Sequence, residues 1–153
     1  MIRFLRVAFM ALGFTLFLQM IPLPDLWAFT IIEKKIVKES PYAFKMEVQV
    51  YGRGNLKKGP VKMTSFKVKI KNEKAGSEIL KVKTIRLYPG PTIARDVETV
   101  GYSISPGKWV TKYYRLGKDK QPILSDQGYI EISFENFAIQ FNPRERKFQG
   151  PLK

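Results

Sequence analysis

Two residue types are missing from this chain of 153 residues, cysteine and histidine. Without cysteine there is no disulfide, no thiolate nucleophile and no cysteine-ligated cluster. Without histidine the commonest general base and the commonest transition-metal ligand are gone, together with the middle member of a Ser-His-Asp relay. Zinc, copper and haem sites of the usual kinds lose most of their donors at once. Acids are scarce as well, at 13 Asp+Glu against 27 Lys+Arg. Calcium cages need loops dense in carboxylates, and Gly117–Lys120 and Asp126–Gly128 offer one acid each. No cofactor, metal or catalytic residue is expected.

Phosphate-binding glycine loops are absent too. Tyr51-Gly-Arg-Gly54 has the first two glycines of such a loop, but no helical pattern follows and the remainder of the fingerprint is missing. The carboxylates that do occur are scattered. If their strand runs straight through, Glu131 and Glu135 share a face about 13 Å apart at 3.3 Å per residue. Carboxylate pairs that hydrolyse glycosides lie about 5–9.5 Å apart.

What the chain does have is a distinctive beginning. Arg3 and Arg6 precede an uncharged run from Val7 to Leu18, and Pro22, Pro24 and a small residue at Ala28 follow. A charged start, a short apolar stretch and a small-residue exit predict a cleavable secretory signal helix over residues 1–28. The apolar core is shorter than the roughly 20 residues of a spanning helix. The alternative is a retained anchor over residues 7–21. No cysteine follows for lipid attachment, and no Arg-Arg pair marks twin-arginine export. The expected location is therefore the bacterial periplasm or exterior, or the inner membrane if the segment is kept as a tether.

The remainder divides into a domain over 29–141 and a loose tail over 142–153, where Pro143, Gly150 and Pro151 mix with charges. Removing Arg3, Arg6 and Asp25 with the leader still leaves a charge of about +13. Such a surface is drawn to anions: phospholipid, lipopolysaccharide phosphate, acidic glycan or an acidic protein.

Period-two alternation dominates this region. Phe44, Met46, Val48 and Val50 alternate with Lys45, Glu47 and Gln49; Phe66, Val68 and Ile70 alternate with Lys67, Lys69 and Lys71. That is the pattern of half-buried strands. In 79–88 the apolar phase slips by one near Thr84, the mark of a β-bulge or a change of sheet. Val97–Ser105 reads as one strand with Val100, Tyr102 and Ile104 on one face. Trp109–Leu116 reads as a strand with Trp109 and Tyr113 toward the core and Tyr114 outward. Tyr129–Phe134 and Phe137–Phe141 complete the set, and Ile31–Lys38 opens it. About seven or eight short strands with regular turns predict an all-β, antiparallel, immunoglobulin-like β-sandwich.

The best constellation is the lysine rows. Lys67, Lys69 and Lys71 project from one strand, Lys81 and Lys83 from the next, and Arg86 joins them as an anion candidate. If those strands form a hairpin with Ile70 opposite Leu80, lysine faces lysine, a cost that an anionic partner would offset. If the chain changes sheet between them, the rows part and no joint patch forms. Arg53, Lys57 and Lys58 form a second anion candidate in the Gly52–Lys58 loop, and Pro89–Asp96 is a third loop of interest. The expectation is a non-enzymatic binding or accessory module of the envelope, engaging an anionic or protein partner through a basic face or an exposed strand edge. Its rivals are a membrane-tethered subunit, a carboxylate or Ser-Lys hydrolase, and a nucleic-acid binder. Specific nucleic acid is not expected.

Overall fold

The computed structural model describes residues 28–90, 93–118 and 121–153. The expected signal segment lies outside these except for Ala28. Among the described residues every regular element is a strand, and no helix is long and apolar enough to cross a membrane.

Among the described residues eleven strands form two antiparallel sheets. Sheet A runs in the order β1 (Ala28–Val37), β2 (Phe44–Gly54), β3 (Val61–Asn72), β7 (Trp109–Arg115), with β8 (Ile123–Leu124) also on β3. Sheet B runs β11 (Lys147–Leu152), β10 (Ala138–Asn142), β9 (Tyr129–Phe134), β4 (Leu80–Tyr88), β5 (Arg95–Glu98), with β6 (Tyr102–Ile104) also on β4.

The alternation read from the sequence builds the core. Phe44, Met46, Val48 and Val50 of β2 and Phe66, Val68 and Ile70 of β3 are at most 2% exposed. They meet Leu80, Val82, Ile85 and Leu87 of β4 and Ile130, Ile132 and Phe134 of β9, so one core lies between the sheets. Each such side chain contributes about 1.5–3 kcal/mol on burial. Where β2 begins and β9 ends, Phe44 stacks on Phe134 at 5.4 Å and Phe137 stacks on Phe134 at 4.4 Å. Tyr42 meets Phe137 edge-on at 4.7 Å.

The slip near Thr84 is a real irregularity: the β4–β9 register shifts between Val82 and Thr84. Two other readings need correcting. The stretch 97–105 is not one strand but β5 and β6, both paired to β4. Gly101 separates them at φ 73, and a Cβ there would lie 2.6 Å from the Val82 carbonyl oxygen. Val100, read as sharing a face with Tyr102 and Ile104, is 91% exposed at that break, whereas Ile104 is buried.

The tail is likewise not loose. β11 pairs with β10, Phe141 opposite Phe148 with ring centroids 4.7 Å apart. The turn is made by Asn142, whose Oδ1 accepts from the Arg144 and Glu145 amides at 2.9 and 3.0 Å. Pro151, which suggested disorder, sits on an edge strand, where a missing N–H breaks no ladder.

Candidate anion-binding face

β3 and β4 lie in different sheets, so the hairpin that would oppose Lys69 to Lys81 does not exist. Both flanks of β3 are taken by β2 and β7, and both flanks of β4 by β5/β6 and β9. The lysine rows therefore part company.

The sheet B group is largely neutralised. Arg86 Nε lies 2.7 Å from Asp96 Oδ1, which raises the guanidinium pKa further, and it also stands opposite Glu131 in the ladder. Lys81 Nζ lies 3.6 Å from Glu135. Lys83 falls at the register shift and stays exposed. Glu131, the other member of the spaced carboxylate pair, accepts from Gln140 Nε2 at 3.0 Å.

The outer face of sheet A is different. Strand register places Lys67 between Gln49 and Tyr113, Lys69 between Glu47 and Thr111, Lys71 between Lys45 and Trp109, and Ser65 between Tyr51 and Arg115. Farther along the same face Arg53 opposes Lys62. At the Lys71 end, acids intervene: Glu73 Oε1 lies 2.7 Å from Lys71 Nζ and 3.4 Å from Lys45 Nζ, and Lys71 first, then Lys45, holds the Glu73 carboxyl below its usual range. Glu47 binds Lys34 at 3.6 Å. Among the described residues, Arg53, Lys62, Lys67, Lys69 and Arg115 have no carboxylate partner in an ion pair.

Aromatic rings interleave this column. Trp109 is 46% and Tyr113 51% exposed, contrary to their expected place in the core. Lys69 Nζ sits 4.6 Å from the Trp109 ring centroid and Arg115 5.8 Å from that of Tyr113. Tyr113 donates to Ser65 Oγ at 3.0 Å, and Ser65, then Arg115, lower its phenol pKa. Tyr51 meets Tyr113 edge-on at 6.4 Å. Strand β7 thus runs in the phase opposite to expectation: Val110 and Tyr114 pack toward the core, with Tyr114 5.0 Å from Phe66. Aromatic residues occupy both faces of β7, so hydrophobicity alone did not fix its phase. The alternation of Trp109, Thr111, Tyr113 and Arg115 was the available signal.

Lys57 and Lys58 crown the β2–β3 hairpin, where their amides donate to Asn55 Oδ1 at 2.9 and 3.3 Å. Of the sequence candidates, Arg53, Lys67 and Lys69 share one face, Lys57 and Lys58 cap its end, and Lys81, Lys83 and Arg86 lie on the other sheet.

A second polar group lies between the open flanks of the sheets. Tyr114 donates to Glu98 Oε2 at 3.3 Å, Lys112 Nζ is 3.9 Å from the same oxygen, and Lys112 sits 5.1 Å from the Tyr102 ring centroid. The Tyr102 hydroxyl is buried without a hydrogen-bond partner among the described residues. Burial, then the Glu98 charge, drives the Tyr102 phenol pKa strongly upward; burial leads for Tyr114 too. These groups couple β7 to β5 and β6. No cluster of three potential metal ligands occurs among the described residues.

Compared with known protein families, characterised proteins and solved structures, the chain matches none of them.

Proposed function

We propose that this chain is an exported, non-enzymatic binding module of the bacterial envelope whose outer sheet A face engages an anionic partner. One observation carries the reading: Arg53, Lys62, Lys67, Lys69 and Arg115 form a column across β2, β3 and β7 without carboxylate partners among the described residues. Cations left uncompensated on one face raise the local potential and draw anions to it. The flanking Trp109 and Tyr113 give a flat apolar surface against which the non-polar part of such a partner packs. Export rests on the leader-like segment; the rival is its retention as an anchor, and N-terminal sequencing of the mature protein separates the two.

An immunoglobulin-like strand order belongs to the same proposal. What supports it is the pairing: β3 with β2 and β7 in one sheet, and β4 with β5/β6 and β9, then β10, in the other. The chain changes sheet at β3–β4, β6–β7 and β8–β9. β1 and β11 are then additions at the two ends. The fold itself carries no functional inference.

The test is binding to phosphatidylglycerol vesicles and to immobilised polyuronate. A basic residue near an anionic surface contributes about 1 kcal/mol, so Lys67→Glu, Lys69→Glu and Arg115→Glu together lower affinity roughly a hundredfold. Unchanged binding by the triple variant refutes the assignment.

A further inference from the structure

One flank of β1 pairs with β2 over ten residues, from Ala28↔Arg53 to Val37↔Phe44, and the other flank carries no strand among the described residues. The remaining sheet edges are guarded. β11 contains Pro151 and a shifted register, β5 and β6 have four and three residues, and β7 turns Lys112 inward. Short strands, proline, irregularity and inward charge all discourage edge pairing. β1 also turns two charges, Glu33 and Lys35, toward the inner face, but they are opposite in sign, and the strand is long, regular and exposes Ile32 at 46% and Ile36 at 56% on its outer face.

Antiparallel pairing of two identical strands must set outer residues against outer ones, because a one-residue slip inverts the faces. A two-fold axis therefore passes midway between the two copies of one β1 residue. Centred on Glu33, the register opposes two glutamates and sets Ile32 against Lys34. Centred on Lys35, it opposes two lysines and sets Lys34 against Ile36. Centred on Lys34, every other pair matches: Ile32 with Ile36 and Ile31 with Val37, each twice, and Glu33 with Lys35, also twice. The one like pair is Lys34 with itself, and each copy already carries Glu47 at 3.6 Å. Arg146 Nε occupies Glu33 Oε1 at 2.7 Å, leaving Oε2 to receive the lysine.

We infer that β1 is a self-pairing edge: a second copy of this chain docks antiparallel along it, with the two-fold axis at Lys34, joining two sheets A into one. This goes beyond the anion-binding proposal and stands independently of it.

The absence of cysteine makes the test clean. Directly opposed residues in an antiparallel pair have Cα atoms about 4.5–5.5 Å apart, inside the disulfide range of about 4.4–6.8 Å. In the full chain, Lys34→Cys oxidises to a cross-linked dimer. Ile32→Cys, about 13 Å from its own copy in this register, does not. The unmodified full chain sediments as a dimer in the micromolar range, and Ile36→Lys sediments as a monomer with an unchanged β-type circular dichroism spectrum. The inference is overturned if the full chain is monomeric, which would leave β1 to a different protein strand. It is equally overturned if Lys34→Cys cross-links no faster than Ile32→Cys, or if Ile36→Lys remains dimeric.

Discussion

Asn72 Nδ2 donates to the Ile104 carbonyl at 2.8 Å, tying the last residue of β3 in sheet A to β6 in sheet B. The same nitrogen donates to the Glu78 carbonyl at 2.8 Å, Oδ1 accepts from the Lys74 amide at 2.9 Å, and Asn72 is wholly buried. A side chain that satisfies three backbone groups inside the protein cannot be shortened cheaply. Each orphaned buried polar group costs about 1–3 kcal/mol. Asn72→Ala is therefore expected to destabilise the fold by about 2–4 kcal/mol, measured by urea denaturation.

Tyr102 makes the opposite case. Its buried hydroxyl has no partner among the described residues, so Tyr102→Phe removes a desolvated group and loses no hydrogen bond. Stability is expected to stay the same or to rise by about 1 kcal/mol. A loss of more than that would show that the hydroxyl has a partner.

The same tyrosine gives the chain an alkaline limit. Burial raises the pKa of Tyr102 and Tyr114 in the fold above the usual 10.0. Ionisation then favours the unfolded chain: the stabilising contribution is full below pH 10 and declines as pH rises above it. Phenolate absorbance is expected to show Tyr113, whose pKa is lowered, titrating ahead of Tyr102 and Tyr114, and those two ionising only as the β signal is lost. Tyr102→Phe moves the alkaline midpoint upward.

Glu73 sets an acidic counterpart. Lys71 and Lys45 hold its carboxyl below the usual 4.5. A depressed carboxyl stabilises the fold above its unfolded pKa, and the contribution is lost as pH falls through the folded one. Glu73→Gln is expected to lower the melting temperature at pH 7 and to match the parent protein at pH 2. A gap that persists at pH 2 would place the effect in packing rather than charge.

The two faces also differ in what charge reversal does. Arg86→Glu breaks the contact with Asp96 and sets an acid opposite Glu131, so it is expected to lower stability while leaving anion binding within about twofold. Lys67→Glu, opposite Gln49 and Tyr113, is expected to do the reverse. Thermal melts and vesicle binding on the same pair of variants read both quantities.

The sequence by itself determined that this protein is built of strands, which residues of β2, β3 and β9 fill its core, and which metal and nucleophile chemistries the absence of cysteine and histidine takes away. Those properties follow from side-chain type and a period of two, which are local. It did not determine the phase of β7, because Trp109 and Tyr113 are as apolar as Val110 and Tyr114 and only packing on Phe66 chooses between them. Nor could it show that Lys69 and Lys81 lie on separate sheets, or that the proline-bearing tail adds β11. Strand pairing is a non-local choice, made by which edges are free once the core has closed. The same choice decided which cations keep a carboxylate, Arg86 among them, and which stand together without one.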